Sequence, residues 1–309
     1  MVMDNKKLLG NLILTVTAIV WGMAFAFQKD GMDHIGPLSF AMSRLVLSLG
    51  AAAVMVAVKG AFLKKQGKHP RDVMTKEQYA IYRQNTIKGG IICGFFLSTA
   101  SCLQQVAIVE TSAGKAGFIT ALYVLLVPVI GTLFFGKSPS LNQWAAVAAG
   151  LVGLYLLCIS GSFSLAKSDL LLIGCALLFS MQIINADKYV GSADPVAMSL
   201  VQFAAALVIT SALAFSFEEP SLSQIRAAAV PIVYCGLISG GLGYTFQIIG
   251  QRYAEPVAAS LILACESVFS VLGGWLLLGE VLTARELLGC CVMFAAIVLS
   301  QIPAKSAVK

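Results

Sequence analysis

Charge is scarce in this chain. Asp, Glu, Lys and Arg make up 12% of 309 residues, against 58% hydrophobic residues and a mean hydropathy of +0.87. That balance excludes an ordinary soluble domain, which has no core large enough for so much apolar surface. Histidine is scarcer still. His34 and His69 are the whole complement, and both fall in connecting segments, so they form no metal set. The eight cysteines are Cys93, Cys102, Cys158, Cys175, Cys235, Cys265, Cys290 and Cys291, and all lie in apolar stretches. They have neither zinc spacing nor extracellular pairing, and read as small packing residues. No phosphate-binding P-loop is present, which removes ATP as the driving force. No nucleophile is paired with a base, and no cofactor is expected. Long polar segments are also missing, except 59–88, so there is no room for a separate soluble domain.

What the chain has in quantity is apolar runs of bilayer length. Ten are predicted, at 8–28, 37–58, 88–108, 112–134, 141–160, 169–187, 195–215, 229–250, 255–278 and 284–302. About 20 apolar residues cross the hydrocarbon layer as a helix, whereas barrel strands alternate and need about 9–11. The first run follows Lys6 and Lys7, and Ala24-Phe25-Ala26 resembles a cleavage site. It is too long for a signal h-region and has a counterpart at 169–187, so it is expected to be retained.

Lys and Arg set the orientation. With the N-terminus inside, fifteen of the 21 basic residues lie in inner segments. Outer segments hold only Lys29, Lys115, Lys167, Arg226 and Arg285, and Arg44 is left within the membrane. Both termini are thus expected in the cytoplasm of a cell carrying the protein in its plasma membrane. The basic segment 59–88 suits anionic lipid headgroups better than nucleic acid. Its Met74–Tyr82 stretch is expected to lie on the interface as an amphipathic turn.

The second half looks like a diverged copy of the first. A shift of 143 positions, set by Gly136 and Gly279, also aligns Gln104 with Gln247, Ala116 with Ala259, Ile119 with Ile262 and Gly131 with Gly274. Five spans per copy insert the two copies upside down, the pattern of secondary transporters. The opening TAIVWGMAFAFQKDGMDHIGPLSFAMSR resembles the first two helices of an EamA-type half. The stretches TSAGKAGFITALYVLLVPVIGTLFFGKSPSLNQWAAVAAGLVGLYLL and AEPVAASLILACESVFSVLGGWLLLGEVLTARELLGCCVMFAAIVLS resemble its later helices. The chain is similar to the EamA branch of the drug/metabolite transporter superfamily over nearly its whole length. That resemblance implies an all-α membrane protein, ten helices in two inverted five-helix repeats (1–160 and 161–309) around a central cavity. It also implies transport of amino acids, other small metabolites or drugs, often outward. One departure stands out: Pro128 is present in the first half, while Val271 occupies the matching part of span nine. The family's kink is therefore not specified there.

Intramembrane charges cost at least about 2.5–3.5 kcal/mol and usually face a cavity or a partner. Arg44 in span two and Glu266 in span nine fall at similar depth, so pairing is one expectation and a solute or proton site another. The repeat sets Tyr123 opposite Glu266, and the longer shift of its opening spans, 159 positions from Lys29 to Lys188, brings Gln202 within one position of the match to Arg44. Amides form a second group: Gln28, Gln182, Asn185, Gln202 and Gln247, with Gln104 favoured by the repeat and Gln105 by the Gly94–Ser98–Ser101 face. Trp21, Tyr123, Tyr244 and Trp275 lie inside spans and suit a pocket wall, whereas Trp144 suits an interface anchor. The expected solute site is Trp21, Arg44, Gln104, Tyr123, Gln202, Tyr244, Gln247 and Glu266. Its partners would be a small organic solute, the bilayer and a proton as coupling ion, with a homodimer compatible. A channel would favour a ring of repeated polar residues, which two unequal halves do not supply. A membrane-embedded enzyme would need a nucleophile–base or metal set, and none is legible.

Overall fold

The computed structural model describes residues 5–111, 113–136, 139–158, 166–271, 283–300 and 302. Among these, all regular structure is helical, as lipid demands of a chain whose backbone groups must bond within each segment. Seven helices are long and apolar enough to cross a membrane: α1 (Asn5–Gly31), α2 (Pro37–Lys65), α3 (Lys76–Glu110), α4 (Lys115–Phe135), α6 (Lys167–Val190), α7 (Pro195–Phe217) and α8 (Ala229–Gln251). Three shorter apolar helices, α5 (Leu141–Cys158), α9 (Pro256–Val271) and α10 (Ala284–Ser300), fall where spans five, nine and ten were expected. The end of span nine, with Gly274, Trp275 and Leu276, and the Gly279 and Glu280 that follow it lie outside the described residues. So do Lys137, Lys305 and Lys309.

The basic segment differs from expectation. Most of 59–88 is helix: α2 runs on to Lys65, a short helix covers Pro70–Val73, and α3 starts at Lys76. Met74–Tyr82 is not a separate surface turn but the cap and first turns of α3. The reason is local chemistry that an apolar count overlooks. Gln78 N donates to Thr75 Oγ1 at 3.2 Å and Thr75 N donates to Gln78 Oε1 at 3.1 Å, a reciprocal cap. Pro70 opens the short helix, and His69 Nδ1 accepts from Arg71 N at 3.3 Å.

Contacts interleave the two halves. Helix α3 packs against α6 and α7, α2 against α7 and α8, α1 against α8 and α9, α4 against α6 and α9, and α5 against α10. Glycine lets several of these backbones touch. A methyl on Gly94 would sit 2.5 Å from the Gln202 carbonyl oxygen of α7. One on Gly236 would sit 2.9 Å from the Arg44 carbonyl oxygen of α2. Gly153 and Gly289 approach each other's carbonyls across α5 and α10.

Polar groups pin the ends of α2 and α7. The Glu218 carboxylate accepts from Leu38 N at 2.9 Å and Ser39 N at 2.8 Å, capping the N-terminus of α2. At the opposite end Lys59 Nζ meets Asp194 Oδ1 at 2.6 Å, while Asp194 caps α7 through Val196 N and Ala197 N. A carboxylate on two first-turn N–H groups also meets the positive end of the helix dipole. Glu218→Ala is expected to cost about 1–2 kcal/mol and to lower the thermal midpoint in detergent. Glu219→Ala next to it should leave the midpoint unchanged, and scanning fluorimetry of both checks this.

Candidate functional site

Two of the apolar helices are interrupted at matching positions. In α4 the break is at Leu122, where Leu122 N bonds back three residues to Ile119 O at 3.2 Å. In α9 it is at Cys265, where Cys265 N bonds to Ile262 O at 3.2 Å. The break in α9 therefore forms without a proline, although Val271 stands where Pro128 was matched. In both halves the turn lies six residues before that position, so the proline ring is not what makes it. The α9 turn coincides with the approach of α1, where a methyl on Gly22 would lie 2.5 Å from Glu266 O and 2.8 Å from Ser270 N.

Each break is followed at once by a polar side chain, Tyr123 in one half and Glu266 in the other. Tyr123 Oη donates to Glu266 Oε1 at 3.4 Å, across 143 positions of sequence. Both line a narrow cavity with about 40 Å³ of free volume. Its walls are Trp21, Ala24, Phe25 and Gln28 of α1, Arg44 of α2, Gln104 of α3, and Thr120 and Tyr123 of α4. Phe179, Gln182 and Ile183 of α6, Ser239, Tyr244 and Gln247 of α8, and Glu266 of α9 complete them.

Second partners hold these side chains. Arg44 Nη1 donates to Gln28 Oε1 at 3.2 Å, and Gln104 Nε2 donates to Thr120 Oγ1 at 3.2 Å. Gln182 and Gln247 exchange amide hydrogen bonds at 2.9 and 3.4 Å, and Gln182 Nε2 also donates to Gln202 Oε1 at 3.0 Å. Helix α8 carries a π-helical stretch, Tyr234–Tyr244, rich in glycine. Trp21 Nε1 donates to Ser239 O at 3.0 Å and Ser48 Oγ to Gly236 O at 2.8 Å, so side chains of α1 and α2 bond to carbonyls of the widened turns. The Trp21 and Tyr244 rings meet at 4.6 Å between centroids. Irregular helix of this kind is tolerated at membrane depth where it is buried or lines a cavity.

The EamA-like transporter family matches the chain twice, over residues 8–159 and 166–301. This chain belongs to that family. An uncharacterized transporter of Archaeoglobus fulgidus is 24% identical over 298 residues, spanning 95% of this chain and 86% of that protein. A probable amino-acid metabolite efflux pump of Salmonella typhimurium is 23% identical over 299 residues, 92% of each chain. A solved crystal structure superposes with a TM-score of 0.73 at 14% identity, covering 94% of this chain and 96% of its own, and shares the fold. The chain is a multi-pass membrane transporter.

In this EamA-like transporter Trp21, Arg44, Gln104, Tyr123, Tyr244, Gln247 and Glu266 line one cavity, and Gln202 stands one layer behind, on Gln182. Between the two neighbouring amides, Gln104 faces the cavity. Gln105 is buried elsewhere, with its Nε2 on Met32 Sδ at 3.2 Å. The expectation that Arg44 and Glu266 pair is overturned. They face the same space, but their charged atoms come no closer than the 4.0 Å of an ion pair, because Gln28 holds Arg44 and Tyr123 holds Glu266. Trp275 lies outside the described residues. Phe25, Thr120, Phe179 and Ser239 were missed. Thr120 follows Ile119 in the repeat alignment and lies one helical turn before Tyr123, a signal that was present. Among the described residues no group of three His, Cys, Asp or Glu can hold a metal ion.

Proposed function

We propose that the protein is a secondary transporter moving a small zwitterionic solute of the amino-acid class outward across the cell membrane by alternating access. One observation carries this: a buried guanidinium and a buried carboxylate line one aromatic-walled cavity without neutralising each other. Uncompensated intramembrane charges are costly. A solute with a carboxylate for Arg44 and an ammonium for Glu266 offsets both, and Trp21, Tyr123 and Tyr244 suit its apolar part. The name of the Salmonella relative agrees in class and direction.

The halves 1–160 and 161–309 act as inverted five-helix repeats, with both termini cytoplasmic. The contact pattern supports this. Exchanging α1–α5 with α6–α10 turns α1–α8 into α6–α3, α2–α8 into α7–α3, and α4–α6 into α9–α1, all pairs that touch, while α2–α7 and α5–α10 map onto themselves. The caps agree as well: Gln143 N on Ser140 Oγ recurs 143 positions on as Glu286 N on Thr283 Oγ1, each at 3.2 Å. A proton is the proposed coupling ion and Glu266 its carrier.

Flux of zwitterions, carboxylate-only and amine-only analogues through proteoliposomes tests the solute class. Arg44→Gln is expected to raise the half-saturating concentration of solutes with a carboxylate by about 10–100-fold, the value of one lost charge-assisted hydrogen bond. Amine-only analogues should be unaffected. Equal transport of amines and zwitterions, indifferent to Arg44→Gln, would overturn the class. Accumulation of zwitterions inside cells expressing the protein would overturn the direction.

A further inference from the structure

A second space lies beyond Tyr123 along α4. Tyr123, Val127 and Gly131 are four residues apart in one helical segment, Tyr123–Phe135, and so share a face. Tyr123 lines the central cavity, whereas Val127, Pro128 and Gly131 line a second space of about 200 Å³. Helix α6 makes the same transition in one step: Ile183 belongs to the first space and Ile184 to the second. Gln143 and Glu255 line that second space and also a third, of about 270 Å³, whose other walls include Lys7 and Ser300 near the two chain termini. Two spaces thus follow one another along one face of α4, and the third adjoins the second at Gln143 and Glu255.

The last two spaces share these two residues, which meet in an exposed side-chain contact. Gln143 Nε2 donates to Glu255 Oε2 at 2.9 Å. The Gln143 amide is fixed from behind, because its Oε1 accepts from Ser140 N at 2.8 Å in the cap of α5. Glu255 is the residue that opens α9, and no N–H of its own helix uses its side chain. The contact therefore ties the start of α5 to the start of α9. The Tyr123–Phe135 segment of α4 is bounded by the Leu122 break and by Gly136, which ends it at φ +61.

We propose that solute passes between the terminus-bearing side and the central cavity along the Tyr123–Val127–Gly131 face of α4, and that the Gln143–Glu255 hydrogen bond is the gate closing that path. Gln143 and Glu255 are positioning residues: they set whether α5 and α9 stand together or apart. This rests on the alternating-access reading, but not on the solute's identity.

The test uses the full chain in a transport-competent background with its eight cysteines replaced. Val127→Cys is labelled with a membrane-impermeant maleimide from the terminus-bearing side, with no solute present. With the gate intact, labelling is expected to be slow. Glu255→Ala should speed it about tenfold, as when one charge-assisted hydrogen bond is lost from the closed side of a two-state equilibrium. Glu255→Gln keeps an acceptor for Gln143 Nε2, so it should stay slow and also serves as the folding reference. Separately, joining Gln143→Cys to Glu255→Cys with a reducible bifunctional thiol reagent should stop flux, and a reductant should restore it. Labelling that Glu255→Ala leaves unchanged, or full flux through the joined pair, would overturn the gate. Slow labelling that responds to Glu255→Ala, beside absent flux of every zwitterion, would sink the solute class and leave the gate standing.

Discussion

Glu266→Gln is expected to reduce transport by about 10–100-fold, the factor for losing one charge-assisted interaction with solute or proton, while the protein stays folded in the membrane. Gln matches Glu in size and keeps an acceptor for the Tyr123 hydroxyl, which lies 3.4 Å from Glu266 Oε1. What it loses is the charge and the capacity to take up and release a proton. Residual flux should become insensitive to a proton gradient. A structural ion pair would behave differently, because the double change Arg44→Gln with Glu266→Gln would then recover activity lost by either alone. Gln28 and Tyr123, not each other, hold Arg44 and Glu266, so no recovery is expected. Proteoliposome flux with and without an imposed pH gradient decides this. Parental flux with an unchanged gradient response in Glu266→Gln would remove Glu266 from the mechanism.

Gly22→Val is expected to abolish transport and lower the thermal midpoint. A methyl at this position would meet the Glu266 carbonyl oxygen at 2.5 Å, Phe269 Cβ at 2.7 Å and Ser270 N at 2.8 Å. Two of the three are backbone atoms, which have no rotamer to yield, so α1 and α9 must separate at the level of the carboxylate. Overpacking of this kind costs about 1–3 kcal/mol. Gly22→Ala should show the same defect in weaker form. Gly50→Ala supplies the contrast, since its added methyl meets nothing within 4 Å and removes a flexible residue from a helix. Flux and melting curves of the three variants side by side test the claim. Similar behaviour of Gly22→Ala and Gly50→Ala would show that α1 does not bear on α9 as described.

Much of the site was legible because lipid makes polar residues conspicuous. Arg44 and Glu266 stand out among apolar neighbours, and the 143-residue shift that pairs Tyr123 with Glu266 is the separation of two side chains that touch. The same shift chose Gln104 over Gln105 where helical periodicity had pointed the other way. Other features had no such signal. The turn at Cys265 carries no proline, and the π-helical stretch depends on packing against Trp21 and Ser48 that no local pattern encodes. The helical extensions to Lys65 and from Lys76 were hidden because polar residues with good helix propensity do not register as apolar spans. Pairing of Arg44 with Glu266 looked reasonable from depth alone, since depth along a helix says nothing about which neighbour a long side chain selects.

Among the described residues, none that lines the central cavity comes from α5, α7 or α10. Helix α7 stands behind it, where Gln202 braces Gln182 and the Phe203 ring meets that of Tyr244 at 6.3 Å between centroids. The α5–α10 pair, joined at Gly153 and Gly289, packs on α4 and α9 from outside the cavity, and only its Gln143 end meets the proposed path. This chain therefore has a division of labour open to it over evolutionary time. Drift in α5 and α10 can remodel the outer surface and its neighbours in the bilayer without altering which molecule is carried. A change of cargo needs only a handful of replacements on the remaining helices, which makes those positions the natural targets for retuning the carrier by directed selection.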